Sequence, residues 1–265
     1  LASSISITIG LGLLTLYFFK LEKYVSFESS LWRPRFDIWK KMMDIGLPAG
    51  GEMLILFVYF SAVYWLIQDF GAVAQAGFSI GGRIMQSIFM PTMAIAFAVG
   101  PIIGQNFGAG KSDRVRETFN SGIILSSIVM FITTVVMQWR PELLVMFFTD
   151  DVEVIEVGAV FLQLISLNFV AQGIVFTCSG VFQGLGNTRP ALLSSGARIL
   201  IFVPIAVYLR YQPNFSINMV WYVSILSVTA QAIVSFLLAR REFRRKLDSS
   251  DEQPSTPSEP VESAA

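Results

Sequence analysis

The sequence has 265 residues, of which 54% are hydrophobic and 14% are charged, and its formal net charge is zero. Soluble domains carry about 25% charged residues, so this composition argues against an ordinary soluble domain, and the lack of a basic excess argues against a nucleic-acid partner. The sequence contains no histidine and a single cysteine, Cys178, which removes the commonest catalytic base and metal ligand and any intrachain disulfide.

Long apolar segments dominate the chain. A helix needs about 20 apolar residues to cross the ~30 Å hydrocarbon core of a bilayer, and backbone groups in lipid must be hydrogen-bonded within their own segment, which favours helices. We therefore predict an all-α polytopic membrane protein with about seven transmembrane helices. In chain order the segments are residues 1–19, 45–68, 76–105, 116–139, 154–182, 190–209 and 217–239.

The start of the chain lies inside the first apolar segment, without a methionine or a basic leader. We expect residues 1–19 to be the truncated end of a transmembrane helix rather than a signal peptide. Residues 20–44 are charged and partly amphipathic and contain Trp32, Pro34 and Trp39. This pattern is typical of a helix at the membrane interface, and it predicts a connector between two helical bundles.

Lysine and arginine residues flank the segments asymmetrically. Fifteen of them lie on one side of the predicted bundle, whereas only Arg140 and Arg210 flank the segments on the other side. Because basic loops stay in the cytoplasm, we predict that the first side, including the connector and the C-terminus, is cytoplasmic in a multi-pass protein of the plasma (inner) membrane.

Residues 248–265 are rich in Ser, Pro and acidic residues, which predicts a disordered acidic tail.

The end of the third segment is rich in glycine. The stretch from Gly104 to Ser112 resembles a phosphate-binding loop, but Gln105 occupies the position of its first glycine, and the stretch follows a membrane helix instead of a strand. We interpret it as a helix end at which glycines permit a left-handed exit. The residues assigned to this turn are Gly104, Gln105, Gly108 and Gly110.

A second glycine turn separates the fifth and sixth segments. Gly184 and Gly186 are not followed by the third glycine of a dinucleotide-binding pattern, because that position is Arg189. Pro190 suits the first turn of the next helix.

Small residues also recur at four-residue spacing, which allows close packing of helices in lipid. These pairs are Gly46/Gly50, Gly77/Gly81, Gly100/Gly104 and Gly180/Gly184.

Glu52, Arg83 and Arg198 are ionisable residues that lie well inside the apolar segments. Burial of such a group at bilayer depth costs about 2.5–3.5 kcal/mol, so each is a candidate for cation or substrate binding. Counted from the basic side, Glu52 lies about 10 Å deep and Arg198 about 12 Å deep. We hypothesise that these two residues form a pair or share one polar cavity. Arg83 lies near the other end of its segment, where snorkelling to the interface is the alternative.

The fifth segment carries uncharged polar residues in an apolar context. Asn168 and Gln172 are four residues apart and would share one face of a helix. Hydrogen bonding between helices and contact with a ligand both remain open for them.

Three motifs together resemble the multidrug-and-toxin-extrusion (MATE) family. Residues 46–50 (GLPAG) resemble the start of the family's seventh helix, and residues 101–110 (PIIGQNFGAG) resemble the end of its eighth helix. Residues 182–190 (FQGLGNTRP) resemble its turn between helices ten and eleven. The resemblance covers roughly residues 1–240, and the seven segments would correspond to family helices six to twelve.

The resemblance implies a twelve-helix transporter with two six-helix lobes around a cavity that opens to each side in turn. Residues 1–19 would end the N-terminal lobe, and residues 45–247 would form the C-terminal lobe. Implied partners are the bilayer, a small organic substrate that is cationic or amphipathic, and the N-terminal lobe outside this sequence. Protons or sodium ions would drive export by antiport, without a cofactor or a bound metal.

Two departures from the family pattern affect the implied ion site. The seventh-helix glutamate often lies about two turns after the proline, whereas Glu52 follows Pro48 by four residues and Leu56 occupies the later position. Some members carry an acidic residue in the tenth helix, where the nearest polar residues here are Asn168 and Gln172.

Two other classes of function stay open. A flippase or exporter of lipid-linked or polysaccharide precursors in the same superfamily should have more basic residues along its cavity. A non-transporting membrane subunit is a further alternative. We expect no enzyme activity, because no acid–base pair and no nucleophile with a partner base is visible.

Overall fold

The computed structural model describes residues 2–21 and 35–248, and their regular secondary structure is helical throughout. The predicted all-α fold class is confirmed. Trp32 and Pro34 of the predicted connector and residues 249–265 of the predicted tail lie outside the described residues. The helices are α1 (Ala2–Leu21), α2 (Phe36–Ile67), α3 (Gly71–Gly108), α4 (Ser112–Trp139), α5 (Glu142–Met146), α6 (Val152–Ser166), α7 (Phe169–Gly184), α8 (Arg189–Arg210) and α9 (Ile217–Phe243).

Helix α2 begins earlier than the sequence pattern predicts. The apolar segment was expected to start at residue 45, but the helix begins at Phe36 and runs without a break through Pro48. Residues 36–47 contain neither proline nor two adjacent glycines, and Asp37 in the first turn favours a helix N-terminus. The last part of the predicted connector is therefore an extension of α2.

The fifth predicted segment is not one continuous helix. Helices α6 and α7 meet at an angle of 59°, and the break lies at Leu167 and Asn168. The amides of these two residues donate to carbonyls three residues earlier, so the last turn of α6 is tightened into 3₁₀ geometry. Because asparagine has a low helix propensity, Asn168 suits this break.

Four helical stretches of the described chain are long and apolar enough to span a membrane, and a fifth is obtained if α6 and α7 count as one span. The first of them, Phe36–Gly108, has 73 residues and would extend about 110 Å as a straight helix. It contains two predicted segments, which are separated by the 3₁₀ turn Gln68–Phe70 and by Gly71 with φ of 86°. The apolar part of α1, Ser4–Lys20, is shorter than these spans.

The contacts divide the chain into two compact units, Leu1–Lys41 and Met42–Ala265. In the first unit, α1 exposes its large apolar side chains almost all round, as at Ile7 and Leu14. In the second unit, large side chains on the outer faces of the helices are also exposed, and Phe57 is 77% exposed. Such extensive apolar exposure is unusual for a protein in water and fits a surface covered by lipid.

The core of the second unit contains two apolar clusters. In the larger cluster, the ring of Trp221 stacks on Phe78 at a centroid distance of 5.6 Å and meets the edge of Phe161 at 4.7 Å. The smaller cluster is built around Phe119, which meets the edge of Phe243 at 4.9 Å. Both clusters join helices that are distant in sequence and so hold the second unit together.

Helices α3 and α7 approach each other most closely at small residues. A Cβ atom on Gly104 would lie 3.3 Å from the carbonyl oxygen of Gly184, and a Cβ atom on Gly184 would collide with the carbonyl oxygen of Gly100. Glycine is therefore required where the two backbones meet. At Gly46 and Gly50, which have the same spacing, an added Cβ would meet no described atom within 4 Å.

The two predicted glycine turns are helix ends in the structure. Gly110 follows α3 with φ of 67°, and Gly186 follows α7 with φ of 69°, which is the left-handed conformation expected for a helix exit. Pro190 lies in the first turn of α8. Just before it, Thr188 Oγ1 donates to the carbonyl oxygen of Ile45 at 2.6 Å, which ties this turn to α2.

Candidate functional site

An open cavity lies between helices α2, α3, α7, α8 and α9 of the second unit. The empty space between its walls amounts to about 740 Å³, including the space at its mouth. Its apolar lining comes from thioether and aromatic side chains on α2, α3 and α7, namely Met53, Met93, Phe97 and Phe176. Flexible methionines and aromatic rings suit ligands of varied shape.

The Glu52 carboxylate lies on the wall of this cavity. Ser179 Oγ of α7 donates a hydrogen bond to Glu52 Oε1 at 2.7 Å, and the side chain of Ser195 on α8 also hydrogen-bonds to this carboxylate. Gln231 Nε2 of α9 donates in turn to Ser195 Oγ at 3.1 Å. The acid is therefore held by a polar chain that crosses four helices, and no basic nitrogen of the described residues lies within 4.0 Å of it.

Arg198 lines the same cavity from α8. Its guanidinium carbon lies 3.8 Å from the centroid of the Tyr59 ring, and the Tyr59 hydroxyl is hydrogen-bonded to Ser224 Oγ at 2.6 Å. The arginine is only 8% exposed. Its Nε atom has no hydrogen-bond partner among the described residues, so donor capacity is left free in a buried position.

The structure separates the predicted site residues into two groups. Glu52, Gln172 and Arg198 line one cavity, without an ion pair between the two charged residues. Arg83 is exposed on α3, outside the cavity. Asn168 is buried at the bend between α6 and α7, away from the cavity lining, and neither side-chain polar atom has a partner among the described residues.

The sequence patterns missed several polar residues of the cavity. Ser179 and Gln183 line it together with Gln172, and their spacing of seven and four residues places all three on one face of α7. Tyr59 follows Glu52 by seven residues on the same face of α2. A search for polar residues at helical spacing, rather than for charges alone, would have found them.

This arrangement has three chemical capabilities. The carboxylate with its two serine hydroxyls offers oxygen ligands to a proton or a small hard cation. The guanidinium offers a planar set of donors to an anionic group. The aromatic and thioether walls provide apolar surface for the body of an organic ligand.

The fold and the cavity together define a multi-pass helical membrane protein with a cavity between its helices. Ionisable residues inside apolar helices, broken or proline-containing spans and a cavity between helices are features of secondary transporters. The family model described as MatE matches residues 48–208, which is more than half of the chain. The chain therefore belongs to the MatE family.

Individual relatives are similar over about half of their own length. The "Probable multidrug resistance protein NorM" of Thermotoga maritima is 28% identical over 192 residues, which cover 72% of this chain and 41% of that protein. The "Multidrug export protein MepA" of Staphylococcus haemolyticus is 21% identical over 248 residues, which cover 94% of this chain and 54% of that protein. The chain thus spans about half the length of these relatives.

A solved structure has the same fold. The crystal structure of a MATE protein in the bent conformation superimposes with a TM-score of 0.81 at 18% identity, covering 91% of this chain and 54% of that one. At this identity the likeness concerns the fold alone. It confirms the predicted helical architecture, whereas the match to the family model confirms the predicted family, which the three motifs had indicated.

Proposed function

We propose that this chain is the C-terminal half of a secondary active exporter, which expels small organic molecules in exchange for protons or sodium ions. The observation that carries the proposal is the Glu52 carboxylate, which lies in an open cavity between apolar helices and is bonded only to hydroxyl groups among the described residues. Burying a carboxylate at this depth without a basic partner costs free energy. The carboxylate is therefore available to a mobile cation.

The mechanism is a competition for one cavity. Cation binding at Glu52 neutralises the wall that a cationic or amphipathic substrate would face, so the two ligands favour different states of the protein. A ligand shifts such an equilibrium only through its different affinities for the two states. Each reopening of the cavity then exchanges one ligand for the other.

The helices around the cavity contain points at which their axes can change. Proline within a transmembrane helix removes a backbone donor and kinks the helix, and helix breaks in transporters lie near the binding sites. The bend of 59° between α6 and α7 is one such point. The others are the prolines inside the spans: Pro48 in α2, Pro91 and Pro101 in α3, and Pro204 in α8.

The relatives' names support multidrug export, since both are described as multidrug resistance or export proteins. A precursor flippase would need several cations for phosphate groups, whereas Arg198 is the one basic residue that lines the cavity in the described part of the chain. We further propose a plasma-membrane location with the basic loops and the C-terminus on the cytoplasmic side, because of the charge asymmetry.

The test is dye efflux from cells or proteoliposomes that contain the full-length protein, with the proton and sodium gradients collapsed separately. We expect efflux to stop when one of the two gradients is removed, and Glu52→Gln to abolish gradient-driven efflux. The matched control is Glu156→Gln, which changes an exposed glutamate on α6 and should leave efflux unchanged. Efflux that persists in Glu52→Gln, or that needs neither gradient, would contradict the proposal.

A further inference from the structure

Arg198 is a buried cation whose hydrogen-bond donors are not all paired by the residues that the structure describes. It is 8% exposed and lies on α8 in the middle of an apolar span. Among the described residues its guanidinium makes a cation–π contact with Tyr59, and its Nε atom is unpaired. A cation–π contact with a partly desolvated arginine contributes up to about 2 kcal/mol, which is less than the cost of burying an arginine at this depth.

The surroundings of Arg198 hold the guanidinium in place. The ring of Tyr59 lies against the guanidinium at 3.8 Å, and the bond between Tyr59 and Ser224 at 2.6 Å fixes the position of that ring. A guanidinium stacked on an aromatic face keeps its edge free for two parallel hydrogen bonds to a carboxylate. The arrangement is thus preorganised for an anionic group.

Glu52 does not serve as the counter-ion of Arg198 in this structure. Its carboxylate is bonded to Ser179 and Ser195, and the described residues form no ion pair between Glu52 and Arg198. One cavity therefore presents an acid and a base that are held apart by separate polar contacts. A buried acceptor, Gln231 Oε1, is also unpaired on the same lining.

We propose that Arg198 is an anion-binding centre, and that the cavity selects zwitterionic amphipathic compounds whose carboxylate binds Arg198 while their cationic group faces Glu52. This inference rests on the proposed export function, and it names the substrate class of that cavity. The apolar walls formed by Met53, Met93 and Phe176 contact the body of the compound. A purely cationic compound leaves the Arg198 guanidinium without an anionic partner, so it binds less tightly than the corresponding zwitterion.

The test compares two dyes that differ only at the anionic group. Rhodamine 110 carries a free carboxylate beside its cationic ring system, and rhodamine 123 is its methyl ester. Binding of each dye to the purified full-length protein is measured by fluorescence anisotropy, and transport is measured in proteoliposomes. A charge-assisted hydrogen bond contributes about tenfold or more in affinity, so we expect rhodamine 110 to bind at least about tenfold more tightly than its ester.

Three variants test whether Arg198 causes the preference for rhodamine 110 over its ester. Arg198→Gln should reduce the affinity for rhodamine 110 about tenfold and leave or improve the affinity for the ester. Arg198→Lys keeps the charge but lacks the planar fork, so it should retain part of the preference. Arg83→Gln, which changes an exposed arginine outside the cavity, is the control and should retain all of it. Size-exclusion profiles establish that each variant is folded.

The two proposals fail in different ways. If both dyes are transported but the wild-type protein prefers the ester, or Arg198→Gln affects both dyes equally, the proposal of an anion-binding centre is wrong and the proposal of an exporter is retained. If neither dye is transported but the protein binds rhodamine 110 in an Arg198-dependent manner, the proposal of an exporter is wrong and the proposal of an anion-binding centre is retained. If Arg198→Gln does not fold, the wild-type preference and the Arg198→Lys result decide the question.

Discussion

Arg210 Nη2 donates a hydrogen bond of 2.6 Å to Asp69 Oδ2, and this contact joins the last residue of α8 to the turn after α2 across 141 positions of sequence. Arg210 also donates to the carbonyl oxygen of Trp65 at 3.1 Å, and its guanidinium lies 3.8 Å above the Trp65 ring. The side chain of Asp69 is 56% exposed, whereas that of Arg210 is 16% exposed. Solvent therefore screens the ion pair more than the contacts with Trp65.

This difference predicts an order of effects on stability. Arg210→Ala should lower the free energy of unfolding by about 2 kcal/mol, because it removes a cation–π contact and a hydrogen bond to a backbone carbonyl as well as the ion pair. Asp69→Asn should lower it by less than about 1 kcal/mol, as is usual for an exposed pair. The measurement is SDS-induced unfolding of the purified full-length protein.

The control for this order is Arg35→Ala. Arg35 pairs with Asp37 at 3.3 Å with both side chains more than 60% exposed, so its removal should be neutral. Equal losses for Asp69→Asn and Arg210→Ala would show that the ion pair, rather than Trp65, holds the two ends together.

The second prediction concerns glycines at four-residue spacing. Substitution by alanine should change the stability of the protein differently at Gly184 and at Gly46, although both belong to pairs with the same spacing. Gly184→Ala should destabilise the protein by about 1–3 kcal/mol, since the new Cβ would collide with the backbone of Gly100, which cannot move aside. Gly46→Ala is the matched change at a position with no described atom within 4 Å. It should be neutral or stabilising by up to about 1 kcal/mol, because alanine favours the helix. Thermal unfolding in detergent measures both, and equal effects would refute the close contact of α3 and α7.

Two buried threonines make a third prediction. Thr92 on α3 and Thr177 on α7 are both completely buried. Thr177 Oγ1 is bonded to the carbonyl oxygen of Gly173 and to Ser126 Oγ, each at 3.0 Å, whereas Thr92 Oγ1 has no partner among the described residues. Thr177→Val should therefore cost about 1 kcal/mol, and Thr92→Val should stabilise by a similar amount.

The measurement for the two threonines is the same unfolding experiment, in which each variant serves as the control of the other because the chemical change is identical. A loss of stability in Thr92→Val would mean that its hydroxyl has a partner in the full-length protein.

Much of the fold could be predicted because the bilayer imposes simple rules. Each predicted apolar segment lies on helical residues of the described chain, although α6 and α7 share one segment, and glycine chemistry located the turns at Gly110 and Gly186. The start of α2 and the break at Asn168 could not be found in this way. A hydropathy pattern does not show where a helix continues beyond the lipid, and the break is set by local backbone hydrogen bonds inside one apolar stretch.

The candidate site was only partly predictable. Glu52 and Arg198 stand out because a charge inside an apolar segment is costly, and their similar depth suggested an ion pair or a shared cavity. That they would not pair was not predictable, because it depends on contacts between helices, namely Arg198 with Tyr59 of α2 and Glu52 with Ser179 of α7. Asn168 looked equivalent to Gln172 at helical spacing, but the bend places it outside the cavity lining.

The position of Arg198 has a consequence for biosynthesis. Arg198 makes the free energy of inserting α8 at the translocon less favourable by about 2.5–3.5 kcal/mol. Each leucine, isoleucine, phenylalanine or valine of α8 makes insertion more favourable by only about 0.3–0.6 kcal/mol. Tyr59 precedes Arg198 by 139 positions, whereas Ser224 follows it by 26 positions. The ring that contacts the arginine is therefore synthesised before α8, and the hydroxyl that bonds to this ring is synthesised after it.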